Sequence, residues 1–270
     1  MLKDITIGQF FPGDSVLHRQ DPRFKLIESI IFIAMLFAAQ NFTAIFVATL
    51  FAFFAYAVGK IKISLALKGL KPVLPLIIFS GVLNLFFITG GELLWQWQFI
   101  SIYENGIETA VFMVVRVVAL IAGMSLLTYT TSPIMLTDAI ENLLAPLKKV
   151  KFPVHELAMM MTIALRFIPT LIEETDRIMS AQKARGAQLD TGSLKVRVKA
   201  LVPVLVPLFV SAFKRASDLA LAMECRCYRG GEGRTRLRTL KSAAIDGVCL
   251  TVTLVVAAAV IAVGFVPWII

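Results

Sequence analysis

Catalytic and metal-binding vocabulary is almost missing from this chain. Its 270 residues include two histidines, His18 and His155, and three cysteines. There is no C-x-x-C pair and no histidine cluster, which argues against a disulfide framework and a zinc site. No G-x-x-x-x-G-K-[ST] occurs, so ATP binding by a P-loop is not expected, and H-E-x-x-H and G-x-S-x-G are absent too. No metal, no cofactor and no enzymatic reaction is therefore expected of the chain itself. Charge is also scarce. It makes up 17% of residues, against about a quarter in an ordinary soluble domain.

Apolar sequence fills the space. Hydrophobic residues reach 58% and the mean hydropathy is +0.80. Apolar runs this long cannot all be hidden in a soluble core, so the composition predicts an all-α polytopic membrane protein. Pro12-Gly13-Asp14 precedes any apolar run, so no signal peptide is expected.

Four spans are predicted in the first half, over about 26–40, 44–58, 73–88 and 106–130. The first two are short and read as a tight helical hairpin after Pro22, which is well placed to open a helix. Basic residues at 19–25, 60–71 and 148–151 alternate with a stretch, 90–105, that holds no Lys or Arg. The positive-inside rule then places the N-terminus and the basic stretches in the cytosol, and the 90–105 loop outside. Trp95 and Trp97 suit an interfacial belt in that loop, as does Trp268 near the C-terminus.

Two further apolar runs, 157–172 and 200–213, have basic residues on both flanks and contain Arg166 and Pro169, and Pro203 and Pro207, respectively. A single crossing would strand one basic cluster outside, so both read as helices of the cytosolic interface. A flexible break at Gly230-Gly231-Glu232-Gly233 and the basic residues Arg234, Arg236 and Arg238 lead to a last span. The division that results is an N-terminal membrane domain over 1–130, a cytosolic platform over 131–241 and a final transmembrane helix within 242–270. About five spans and one large platform make up the architecture.

Three features of this frame carry functional weight. Arg116 lies within the 106–130 span, about 15 Å along the helix from Gly106. A buried arginine costs ~2.5–3.5 kcal/mol or more at mid-depth. It reads either as a transport path or as a structural intramembrane charge that clamps groups such as Asn84 or Ser80; one arginine without other midplane charges favours the clamp. Met159, Met160 and Met161, with Met135, Met179 and Met223 as possible neighbours, form either an adaptable partner surface or packing filler.

The third feature is a repeat. Arg185 lies in Ala184-Arg185-Gly186 and Arg226 in Cys225-Arg226-Cys227, with an aliphatic seven residues before each (Ile178, Leu219) and an alanine four before (Ala181, Ala222). Small flanks let a guanidinium enter a groove and pair bidentately with a carboxylate. Contact with anionic lipid headgroups is the other reading. Gly186 also suits a helix end.

The run from Pro12 to Arg23 (PGDSVLHRQDPR), the run from Glu156 to Leu171 (ELAMMMTIALRFIPTL) and Ala184-Arg185-Gly186 together resemble the transmembrane T components of energy-coupling factor (ECF) transporters, the EcfT family. The resemblance covers nearly the whole chain. It implies a non-catalytic subunit with two ABC-type ATPases beneath a coupling domain of three helices, two of them long: Met135–Leu147, Val154–Gly186 and Leu194–Arg229. A membrane-embedded substrate-binding S component would pack on the same domain, with Met135, Met159, Met160 and Met161 as candidate contacts. Arg185, Arg226, Ala184 and Gly186 would dock the ATPases. Arg226 departs from the family pattern in its cysteine flanks, so the helix-ending role there is expected of Gly230. The function implied is uptake of a micronutrient, a vitamin before a metal ion, at the cell membrane, with lipid and no nucleic acid as further partners. The alternatives are a permease of another ABC importer class, whose Glu-Ala-Ala…Gly coupling loop is not found, and a self-sufficient secondary carrier, which should show repeated broken spans and midplane charges.

Overall fold

A computed structural model describes residues 10–97, 100–187, 193–231 and 240–264. It is helical apart from one hairpin: α1 (Val16–Arg19), α2 (Pro22–Ala38), α3 (Phe42–Gly59), α4 (Ile63–Leu70), α5 (Leu74–Phe87), β1 (Leu93–Trp97), β2 (Ile100–Tyr103), α6 (Glu104–Thr130), α7 (Pro133–Leu143), a 3-10 turn (Ala145–Val150), α8 (Val154–Ala184), α9 (Leu194–Cys225) and α10 (Ala244–Gly264). The described residues divide into two compact units, residues 10–139 with 240–264, and the described residues between 140 and 231.

The larger unit packs α10 against α2 and α3, and α6 against α2, α3, α4 and α5. Close approach is possible because α3 presents Ala44, Ala48 and Ala52, one turn apart and all buried. Small residues at such spacing let helix backbones meet where lipid supplies no hydrophobic drive. Gly123 serves α6 in the same way. A Cβ there would lie 2.2 Å from Phe32 Cε1, so the ring of α2 rests directly on the α6 backbone.

Helix ends in this unit are closed by side chains, some local and some from other helices. Asp21 caps α2 by accepting from the Arg23 N–H at 2.9 Å, and its carboxylate also pairs with the Arg23 guanidinium at 2.6 Å. Burial pushes the Asp21 carboxyl up, but the Arg23 hydrogen bonds and charge outweigh it and hold the group below its usual range. Lys25 Nζ donates to the Thr130 carbonyl at 3.1 Å and to Thr131 Oγ1 at 3.2 Å, at the C-terminal end of α6, where cations are favoured. Asp246, fully buried, accepts from the Asp21 N–H at 2.8 Å and ties the start of α10 to the start of α2.

Among the described residues, five helices are long and apolar enough to cross a membrane: α3, α6, α8, α9 from Val198 onward, and α10. A sixth crossing would be α4 and α5 together, which bend by 68° at the Lys71–Val73 break. The protein is thus multi-pass by length and composition. The set differs from the spans read in the sequence. The 26–40 segment lies in α2 as far as Ala38, and the 17 residues of α2 make about 26 Å at 1.5 Å per residue, near the short limit for a span. Conversely, α8 and α9 qualify although their flanking charges had placed them in the interface. Segment 90–105 contains an antiparallel hairpin, with Trp97 opposite Ile100, rather than an irregular loop. Trp268, Arg234, Arg236 and Arg238 lie outside the described residues.

Candidate functional site

The two arginine tips are the same backbone structure made twice. At the end of α8, the Gly186 N–H donates to the Lys183 carbonyl at 2.9 Å and the Ala187 N–H to the Gln182 carbonyl at 3.0 Å. At the end of α9, the Cys227 N–H donates to the Glu224 carbonyl at 2.9 Å and the Tyr228 N–H to the Met223 carbonyl at 3.0 Å. Both are the paired closing bonds of a Schellman cap. Arg185 and Arg226 are the C-cap residues, with nearly equal dihedrals (φ −85°, ψ 6° and φ −92°, ψ 15°). The next residue takes the left-handed turn: Gly186 at φ 86° and Cys227 at φ 54°. The expected helix-ending role of Gly230 is therefore corrected, because the turn occurs three residues earlier, on a cysteine. A non-glycine residue there costs about 1–2 kcal/mol.

These caps satisfy helix carbonyls through the backbone, so neither guanidinium is needed for that purpose. Both arginines are exposed. Among the described residues neither guanidinium has a hydrogen-bond or ion-pair partner. Cys225 and Cys227 are exposed free thiols on either side of Arg226.

Three pairings fix how α8 and α9 run. Gln182 meets Pro203, Glu174 meets Ser211 and Arg215, and His155 abuts Gly231, whose added Cβ would fall 2.4 Å from the imidazole. Numbers rise on one helix as they fall on the other, so the pair is antiparallel. Its two C-terminal tips point to opposite ends, separated by roughly 30–40 Å of helix at 1.5 Å per residue. Glu174 accepts from Ser211 Oγ at 2.7 Å and pairs with Arg215. His155 Nδ1 lies 3.1 Å from Glu141 Oε1, a carboxylate only 7% exposed, which anchors the start of α8.

Methionine is distributed unevenly. On α8, Met160 is 54% exposed and Met161 43% exposed, while Met159 is half-buried. Met135 is half-buried on α7, in the other unit. The open apolar face of α9 is larger and falls in the 200–213 run read as interfacial from sequence: Leu201, Val202, Leu205, Val206, Phe209 and Val210 are all exposed. Among the described residues, no group of His, Cys, Asp or Glu could hold a metal ion.

Arg116 is built into the helix bundle. Its Nη2 donates to the Ala39 carbonyl at 2.6 Å, and its guanidinium carbon sits 4.5 Å from the centre of the Phe112 ring. Ala39 caps the C-terminus of α2, where a positive charge offsets the helix dipole. The Asn84 amide donates instead to the Ser80 carbonyl of its own helix at 2.9 Å. The acceptor for Arg116 is therefore Ala39, not Asn84 or Ser80.

The chain matches the CbiQ family, described as cobalt transport protein, over residues 13–237. It is 52% identical over 255 residues to the energy-coupling factor transporter transmembrane protein EcfT of Ruminiclostridium cellulolyticum, covering 94% of this chain and 95% of that protein. The protein of the same name from Clostridium kluyveri is 54% identical, covering 89% of this chain and 90% of its own length. That from Bacillus subtilis is 49% identical, covering 89% and 91%. With the family match spanning both arginine tips, the chain belongs to the CbiQ and EcfT family and is a transmembrane component of an energy-coupling factor transporter.

Proposed function

We propose that this chain is the coupling subunit of an ECF-type ABC importer, joining two ATPase subunits to a membrane-embedded S component for uptake of a vitamin-like micronutrient. The observation that carries the reading is the pair of matching caps, each holding one exposed arginine without a partner among the described residues, at opposite ends of one antiparallel helix pair. Two separated tips suit two partners, one for each ATPase. Small residues around each guanidinium, Ala184 and Gly186 or Cys225 and Cys227, leave room for a groove wall. A bidentate pair with a carboxylate in such a groove supplies both strength and orientation.

The remaining surface of α8 and α9 supports contact with the S component. A lone chain seldom leaves this much apolar side chain open without a partner or lipid. The Met160, Met161 and α9 face combines flexible thioethers with aliphatics, which suits partners of differing shape. In this reading residues 131–241 form the coupling domain, α8 and α9 lie against the cytosolic side of the cell membrane, and the N-terminus is cytosolic. Their high hydropathy then reflects a protein partner and the lipid interface. ATP-driven closure of the ATPases moves the two tips, and the helix pair passes that motion to the S component.

The test is assembly. Removing one partner of a buried ion pair costs about 3–5 kcal/mol. Arg185→Glu and Arg226→Glu should each release an ATPase in a pull-down and stop uptake, while membrane insertion is kept. Normal assembly and transport by both variants would refute the docking role.

A further inference from the structure

We propose that the larger unit binds a phosphate group in an open cavity between the segment Phe11–His18 and the corner where α3 turns into α4. The cavity has a volume of about 630 Å³, well inside the range of ligand sites. One wall is fixed without a ligand. The Phe11 N–H donates to the Tyr129 carbonyl at 3.0 Å, near the end of α6. The His18 Nε2–H donates to the Phe11 carbonyl at 2.9 Å, and its Nδ1 lies 2.7 Å from Ser15 Oγ. Both ring nitrogens are engaged, so His18 shapes the wall and leaves the ligand to others.

The opposite wall carries the charge. Lys60, Lys62 and Lys68 all line the cavity, and all three are exposed. Among the described residues, none of these ammonium groups has a hydrogen-bond or ion-pair partner. Asp14 is the one carboxylate of the lining, which leaves an excess of positive charge. Lys60 also stands in the left-handed turn that ends α3, at φ 53°, where glycine is the ordinary choice. The backbone completes that cap, with the Lys60 N–H on the Ala57 carbonyl at 3.1 Å and the Ile61 N–H on the Tyr56 carbonyl at 3.2 Å. The ammonium is therefore not spent on helix carbonyls. Several lysines around one space select an anion, and a phosphate offers each of them an acceptor oxygen. Two sources carry that group, a lipid headgroup and free phosphate. The cavity lies at the end of α3, a helix long enough to cross a membrane, and Ile63 and Leu67, one turn apart on α4, are exposed apolar neighbours of the lysines. Basic clusters next to a membrane helix meet anionic headgroups.

The full chain, purified with its co-assembling partners, would be placed in nanodiscs of phosphatidylcholine with or without phosphatidylglycerol, then delipidated and examined by native mass spectrometry. With a lipid headgroup as occupant, wild type should keep phosphatidylglycerol over phosphatidylcholine by about tenfold, the worth of one hydrogen bond to a charged group, and excess inorganic phosphate should leave that ratio unchanged. With free phosphate as occupant, calorimetry in phosphatidylcholine alone should show inorganic phosphate binding to wild type. In either case the triple variant Lys60→Gln, Lys62→Gln, Lys68→Gln should lose the effect. The triple variant Arg19→Gln, Lys71→Gln, Lys241→Gln removes as many exposed charges from outside the cavity and should keep it. Equal retention of the two lipids by wild type together with no phosphate binding overturns the proposal. An equal loss in the two triple variants overturns it as well, since surface charge in general would then be enough.

Discussion

The Gln182 side chain donates to the Pro203 carbonyl at 3.2 Å, across from α8 to α9. That carbonyl is vacant for a covalent reason. Its usual donor would be the N–H of residue 207, which is a proline and has none. One helix thus fills a gap that its neighbour's own sequence creates, three residues before the Arg185 tip.

Gln182→Leu should lower stability by about 1 kcal/mol, the worth of one hydrogen bond. In a Pro207→Ala background, where the α9 backbone can satisfy Pro203 itself, the same change should cost measurably less. Denaturant titration of the four proteins as a double-mutant cycle reads this coupling directly.

The two caps make a reciprocal prediction. Cys227 occupies a left-handed turn at φ 54°, so Cys227→Gly should stabilise the end of α9 by about 1 kcal/mol. Gly186→Ala should destabilise the end of α8 by a similar amount. An added Cβ at Gly186 meets nothing within 4 Å, so its cost is one of backbone conformation alone. Amide exchange at the two tips measures both effects.

Arg116 should behave as part of the bundle. Arg116→Met removes the donor to Ala39 and leaves the α2 C-terminus without its cation, at a cost of about 1–3 kcal/mol. Unfolding in mixed detergent micelles checks the expected loss. A variant of unchanged stability that cannot transport would point to a permeation role instead.

Acid should act through Asp21. Its carboxyl is held below the ordinary value of 3.8 in the folded protein. The folded state therefore binds its proton more weakly than the unfolded state does. The stabilisation is fully present above about pH 4 and is lost as pH falls through the folded value. Comparing wild type with Asp21→Asn between neutral pH and about pH 3 should show a shallower loss of stability in the variant.

Much of this was legible from residue order, for reasons that differ by element. The long helices follow from sustained apolar runs, and Ala184-Arg185-Gly186 announced its helix end because glycine is the residue such a turn prefers. The Cys227 turn was hidden, since cysteine carries no left-handed preference and only the bonds to Met223 and Glu224 reveal it. The hairpin at Leu93–Tyr103 was obscured by reading its tryptophans as interfacial, although Leu93, Trp95 and Trp97 recur every second residue. The Ala39 carbonyl could not be assigned to Arg116 at a separation of 77 residues. Pro203 and Pro207 were read as a barrier to spanning, while their effect on α9 depends on Gln182 from another helix.

The Glu174–Arg215 ion pair has a mechanical meaning. Glu174 precedes Arg185 by eleven residues, and Arg215 precedes Arg226 by the same eleven. The two helices are therefore pinned to each other at a point about 17 Å from either arginine along its own helix. The pinned residues are also each other's counterparts in the repeat, 41 positions apart, as are the arginines. The ion pair therefore lies midway between the two arginines, with equal lengths of helix leading from it to either tip.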